Sequence, residues 1–229
     1  MGDELFLLMA QVGDLCAGLR NNALIEPVNL IKKALKLDTE LGAWAISVEP
    51  GRRYTTVNVP ESADEGQLSS SFRHVYGDYY HIYPDTICST WWNDYRFVRL
   101  ILLELICWFS DHLARKDEAS GSEYRRTAAN SSTIAQQMTA DICASVPYHL
   151  GATADSPYEN LNSNRTSAVI RLIWPLFIAA DTTGVTQQTI DWIANTLFRI
   201  GHGVGIRQAL VMSELLRQGR HLSWLPELV

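Results

Sequence analysis

Leu5, Leu8, Met9, Val12, Leu15, Cys16 and Leu19 recur at steps of three and four, which lays one apolar stripe along a helix. Asn21 and Asn22 suit its end. Pro27 suits the first turn of a second helix. That helix carries Leu30, Ile31, Ala34, Leu35, Leu37, Leu41, Trp44 and Ala45, and Pro50 with Gly51 stops it. Residues 51–84 break the rhythm. Tyrosines alternate there with Pro, Gly, Ser and acids, so the stretch reads as a long loop with one short helix near 68–75. Only residues 54–59 hint at strand alternation. Residues 85–116 form the clearest helix, with Asp85 or Thr90 as cap. Between Phe97 and Phe109 only Arg99 and Glu104 interrupt the apolar residues, so this helix belongs among others.

Helical spacing resumes over 123–145, ended by Pro147 and Gly151. A polar loop over 152–165 leads to an apolar helix ending near Ala180, where Pro175 predicts a kink or restart. Residues 186–200 place Ile190, Ile193, Leu197 and Ile200 on one face. Gly201, Gly203 and Gly205 then break the chain before a last helix over 206–216. The expected fold class is all-α: a helical bundle or stacked helix pairs, about seven helices with a long Tyr-rich loop, as one domain over 1–229.

Composition narrows the function classes. Of 229 residues 47% are hydrophobic and 19% charged, which excludes disorder as the main state. No run of about 18 apolar residues lacks charges, so no membrane span is expected. The net charge of -6 and the absence of a basic stripe argue against nucleic-acid contact by this chain. Cys16, Cys88, Cys107 and Cys143 stand far apart with no metal-ligand spacing, and read as buried free thiols. No metal and no cofactor are expected. The start of the chain shows no targeting segment.

The chemical motifs resolve mostly into structure. The glycines between Gly201 and Gly205 follow a helix, so they read as a corner rather than a phosphate loop. His74 with Asp78, and His81 with Asp85, share an acyl-transferase-like spacing, but in a Tyr/His/Asp-rich loop coincidence is the better account. Carboxylate clusters for magnesium, a GxSxG elbow and HExxH are all missing, so a conventional enzyme is not signalled. Arg96, Arg99 and Glu104 need partners if the central helix is buried. Tyr80, Tyr83, Trp91, Trp92, Asn93, Arg96 and Trp174 form the candidate ligand-binding set, because aromatic walls with a few polar groups suit small molecules. Core packing is the competing reading of the same residues.

At these residues the sequence resembles a known family. Tyr83, Pro84 and Asp85, then Ser89 to Arg96, then Arg99 to Ile106 look like the C-terminal regulatory domain of fungal zinc-cluster transcription factors. The run from Met138 to Gly151, with its ICASVPYHLG phrase, is the nearest match. Trp174 to Ala180, Trp192 with Ile193, and Ile200 to Ala209 resemble the family's last helices, and coverage runs from about residue 25 to 218. The family's six-cysteine DNA-binding cluster is absent from this chain, and so is the upstream half of its regulatory domain. The resemblance implies a regulatory domain without a DNA reader, working in the nucleus, with secondary-metabolite genes as targets. Otherwise the chain would be cytoplasmic. Partners considered are a small hydrophobic metabolite and, in a scaffold or dominant-negative role, a homo- or heterodimer with full-length relatives through an exposed apolar stripe; a broad exposed apolar face near residues 5–19 would favour a fragment or a partner. The alternative is a stand-alone biosynthetic protein that binds a hydrophobic metabolite and acts by shape, as a cyclase-like enzyme does.

Overall fold

The computed structural model describes residues 2–20, 26–59, 75–116, 120–153 and 166–220. Seven α-helices account for most of them: α1 (Gly2–Arg20), α2 (Pro27–Ser47), α3 (Thr86–Lys116), α4 (Gly121–Leu150), α5 (Thr166–Ala180), α6 (Gln187–Val204) and α7 (Arg207–Arg217). A 3-10 turn, Pro50–Arg52, follows α2. Two short strands, β1 (Thr55–Asn58) and β2 (Tyr79–Ile82), pair antiparallel with Thr56 opposite His81 and Val57 opposite Tyr80. The all-α class stands. The flanks of the expected long loop differ from the expectation, since they close into a ribbon in which Tyr80 and His81 are buried, while its middle, 60–74, lies outside the described residues. The expected helix near 68–75 falls almost wholly outside the described residues.

The order of the bundle follows from how apolar each helix is. Helix α3 is apolar on most sides, with Leu100, Leu102, Leu103, Leu105 and Ile106 fully buried, so it lies in the middle. Its start is capped by Asp85, whose Oδ1 accepts from the Cys88 amide at 2.6 Å. Helix α4 makes the most extensive contact with it. Cys107 meets Ala128, Arg96 meets Asp141 and Asn93 meets Ser145, so the two helices run antiparallel. Helices α2 and α5 also cover α3, and α6 and α7 form a hairpin beyond α5. Buried side chains from all seven helices join one continuous apolar core.

The stripe on α1 is spent inside the chain. Leu5, Leu8, Val12, Leu15 and Leu19 are buried, and α1 packs on α2 and α3. The face considered for a partner is therefore covered, and only Phe6 and Leu7 point outward from α1 as large exposed apolar residues.

Two expected helix ends move, and one expected restart does not occur. Helix α4 runs through Pro147 to Leu150 and stops at Gly151, whose φ of 113° is the left-handed cap. Proline lacks one amide hydrogen, but here it sits in the last turn of a helix whose buried face is already held by its neighbours. Helix α5 likewise runs unbroken through Pro175, so the chain does not restart there. Helix α6 continues past Gly201 and Gly203 and turns only at Gly205, where φ is 79°. Gly201 has a packing reason: an added Cβ would collide with Leu210 Cδ2 and lie 3.1 Å from the Leu210 amide nitrogen.

Candidate functional site

The N-terminal third of α3 carries Trp92, Asn93, Tyr95 and Arg96 toward the seam between α2, α4 and the strand pair. All four are buried. Arg96 is only 1% exposed, so its guanidinium needs local compensation. Its Nη1 donates to Tyr83 Oη at 2.6 Å and to Asn93 Oδ1 at 3.0 Å. Its Nε faces Asp141 Oδ2 at 3.9 Å, an ion pair rather than a tight hydrogen bond. The Tyr54 ring covers the guanidinium carbon at 4.8 Å, with the Tyr83 and Trp92 rings farther out. Among the described residues Nη2 has no hydrogen-bond partner.

Asp141 on α4 gathers the other side. Gln137 Nε2 donates to its Oδ1 at 2.9 Å, and His81 Nε2 stands 3.5 Å from the same oxygen. Burial alone would raise its carboxyl. The His81 contact, the Arg96 charge and the Gln137 bond outweigh that and hold it below the usual carboxylate range. His81 moves down as well: burial disfavours its charged form and Arg96 adds to that, against the pull of Asp141. Thr56 Oγ1 lies 3.2 Å from His81 Nδ1, so a neutral ring with its proton on Nε2 can accept from Thr56 and point that proton at Asp141.

A second branch leaves Arg96 through Asn93. Asn93 Nδ2 donates to Ser145 Oγ at 3.0 Å and lies 3.1 Å from His149 Nε2. Ser145 Oγ donates to the Ile142 carbonyl at 2.7 Å and is fully buried. A serine, a histidine and an asparagine therefore meet, but the hydroxyl is committed to the helix backbone and closed to a substrate. This is a structural polar network, not a nucleophile with its base.

Beside the guanidinium opens a cleft of about 490 Å3, whose walls include Ile46, Arg53, Tyr54, Trp92, Arg96 and Asp141. The size suits a small organic molecule. Arg53 at its rim donates to the Val48 and Ile46 carbonyls at the end of α2. A groove of about 320 Å3 between α1 and α2 is a weaker candidate, because Asp14, Lys33, Lys36 and Glu40 make it a solvated surface of mixed charge.

The candidate set from the sequence divides. Tyr83, Trp92, Asn93 and Arg96 come together at this site. Tyr80 is buried in β2 and donates to the Thr153 carbonyl at 3.1 Å. Trp91 is half-buried, under Arg52 and against Gly2. Trp174 is 47% exposed on α5, edge-on to Phe177, away from the cleft walls. Sequence reasoning missed Tyr54, His81, Asp141 and Arg53. The one available signal for Asp141 was a carboxylate inside an apolar helical run. His81 turns to Asp141 rather than Asp85, which caps α3, and His74 lies outside the described residues.

Arg99 and Glu104 are half-buried, and both have partners. Arg99 pairs with Asp38 at 2.6 Å and with Tyr95 Oη at 2.6 Å, while Glu104 accepts from the Thr183 amide and hydroxyl. Among the described residues no cluster of His, Cys, Asp and Glu can hold a metal ion, and no helix is long and apolar enough to cross a membrane. In comparisons with known proteins, no family model, no curated protein and no solved structure matches the chain.

Proposed function

We propose that this chain is a ligand-responsive regulatory domain of a transcription regulator of the fungal zinc-cluster type, with no DNA reader of its own, acting on secondary-metabolite genes in the nucleus. One observation carries the reading. The two segments on which the family resemblance rests most, 89–96 and 138–151, meet in one buried polar network. Asn93 and Arg96 come from the first, and Asp141, Ser145 and His149 from the second. Residues with a shared structural task explain why both segments occur together in one chain.

The chemistry favours binding over turnover. The thiols are pushed up by burial, and the buried serine is committed to a carbonyl. The cleft offers aromatic surface and one incompletely paired cation, which suits recognition. A small molecule seated there would touch α2, α3 and α4 at once, and would bias whichever packing of those helices holds it better. Shape-driven cyclisation is the second reading, supported by the aromatic walls. The cleft opens to solvent, however, and such chemistry needs water kept out.

The test is to tether the chain to an unrelated DNA-binding domain upstream of a reporter gene. Output that differs from that of the tethering domain alone, and shifts further with Ile46→Trp at the cleft rim, supports the reading. Equal output at equal protein level overturns it.

A further inference from the structure

The unpaired, buried edge of Arg96 specifies what the cleft takes. Three of the guanidinium's directions are spoken for: Nη1 by Tyr83 and Asn93, Nε by Asp141, and one face by the Tyr54 ring. Nη2 has no described hydrogen-bond partner and is closed off from solvent, on a side chain that lines the cleft, so a ligand reaches it by shifting the side chains that cover it. A buried donor left unmade is costly, and an anion that reaches it recovers that cost through a charge-assisted bond. Asp141 does not serve this edge. Its Oδ1 is taken by Gln137 and faces His81, and its Oδ2 stands by Nε. Within the walls two arginines face one aspartate, so a single negative charge balances the site. The Trp92 and Tyr54 rings meet edge to face at 4.9 Å and supply apolar surface beside the cation.

Resting on the ligand-responsive reading above, we infer that the cleft binds a flat apolar or aromatic monocarboxylate, its carboxylate on Arg96 Nη2 and its body against Trp92 and Tyr54. A neutral compound of the same shape forfeits the charge-assisted bond. A cation meets Arg96 and Arg53.

The experiment is calorimetric titration of the intact chain with 2-naphthoate and, in parallel, its uncharged isostere 2-naphthamide, each at low and high salt. The expected result is naphthoate bound more tightly by about tenfold or more, the ratio of one charge-assisted hydrogen bond. Arg96→Gln should remove that preference. Because Arg96 is deep in the core and its loss can unfold the chain, Ile46→Glu is the second variant. Ile46 is 78% exposed at the rim, so the fold tolerates the change. A carboxylate there should weaken naphthoate several-fold at low salt, less at high salt, and leave naphthamide unmoved. Equal affinities for both probes, each blocked by Ile46→Trp, overturn the anion inference while the ligand cleft stands. Failure of both probes to bind at millimolar concentration overturns the inference and the ligand-responsive part of the reading together. The tethered reporter then decides the regulatory part separately.

Discussion

Arg96 and Asp141 are buried charges whose worth lies in what each spares the other. Removing one side leaves the rest of the network stranded. Arg96→Met should cost about 3–5 kcal/mol in denaturant unfolding, since it strips the Asp141 carboxylate of its cation and the Tyr83 hydroxyl of its donor. Asp141→Asn made on top of it should add little, because the charge it removes has already lost its arginine. Strictly additive costs would show that the two do not act as a unit. His81 gives the same site a pH signature. Its folded pKa lies below the ordinary 6.5, so as pH falls the unfolded chain takes up the proton first. The stability tied to His81 is full above about 6.5 and is lost below it. Asp141, also lowered, keeps its share down to its ordinary 3.8 and loses it as pH falls further, through its lower folded value. Glu104 works in the opposite sense, since burial raises it and protonation relieves it. The thermal midpoint should therefore drop between pH 7 and pH 5 by less in His81→Gln than in the parent chain. Parallel curves would remove His81 from the account.

At the scale of elements, two glycines separate propensity from packing. Gly13 in α1 has open space around it, so Gly13→Ala should stabilise by up to about 1 kcal/mol, the helix-propensity difference. Gly201 in α6 has the same propensity argument and the opposite surroundings. There Cβ meets Leu210, and Gly201→Ala should destabilise by about 1–3 kcal/mol by forcing the α6–α7 hairpin apart. Chemical denaturation of both variants checks the pair, and a stabilised Gly201→Ala would refute the close approach. The same contrast explains which helix ends were legible. Asp85 as cap and Pro27 at the first turn act within a few residues, so they could be read directly. Pro147 and Gly201 looked like stops because their local cost is real, and tertiary contact overrides it.

The described residues form one core in which Cys88, Cys107 and Cys143 are buried and Cys16 is half-buried at its edge. Cys16, Cys88, Cys107 and Cys143 are all free, and burial pushes Cys16 and Cys88 up to about 11 and Cys107 to about 12. Native protein at pH 8 should therefore react slowly with Ellman's reagent and fully once unfolded. Fast modification of several thiols in the folded chain would mean that the core opens more readily than its packing implies.

Spacing of apolar residues settled the class and number of helices, because a helix must hide one stripe and α3 had almost nothing but stripe. It also marked Arg96, Arg99 and Glu104 as charges in want of partners. Naming those partners took the folded chain. Asp38 lies 61 residues from Arg99, and Thr183 lies 79 from Glu104. No periodicity carries information across such distances. The strand pair was hidden for the same reason, since β1 and β2 exist only by pairing with each other across an intervening stretch of chain. Tyr54, His81 and Asp141 reach Arg96 by long-range packing, and so only tertiary structure turned a row of aromatic residues into a cleft with a charge in it.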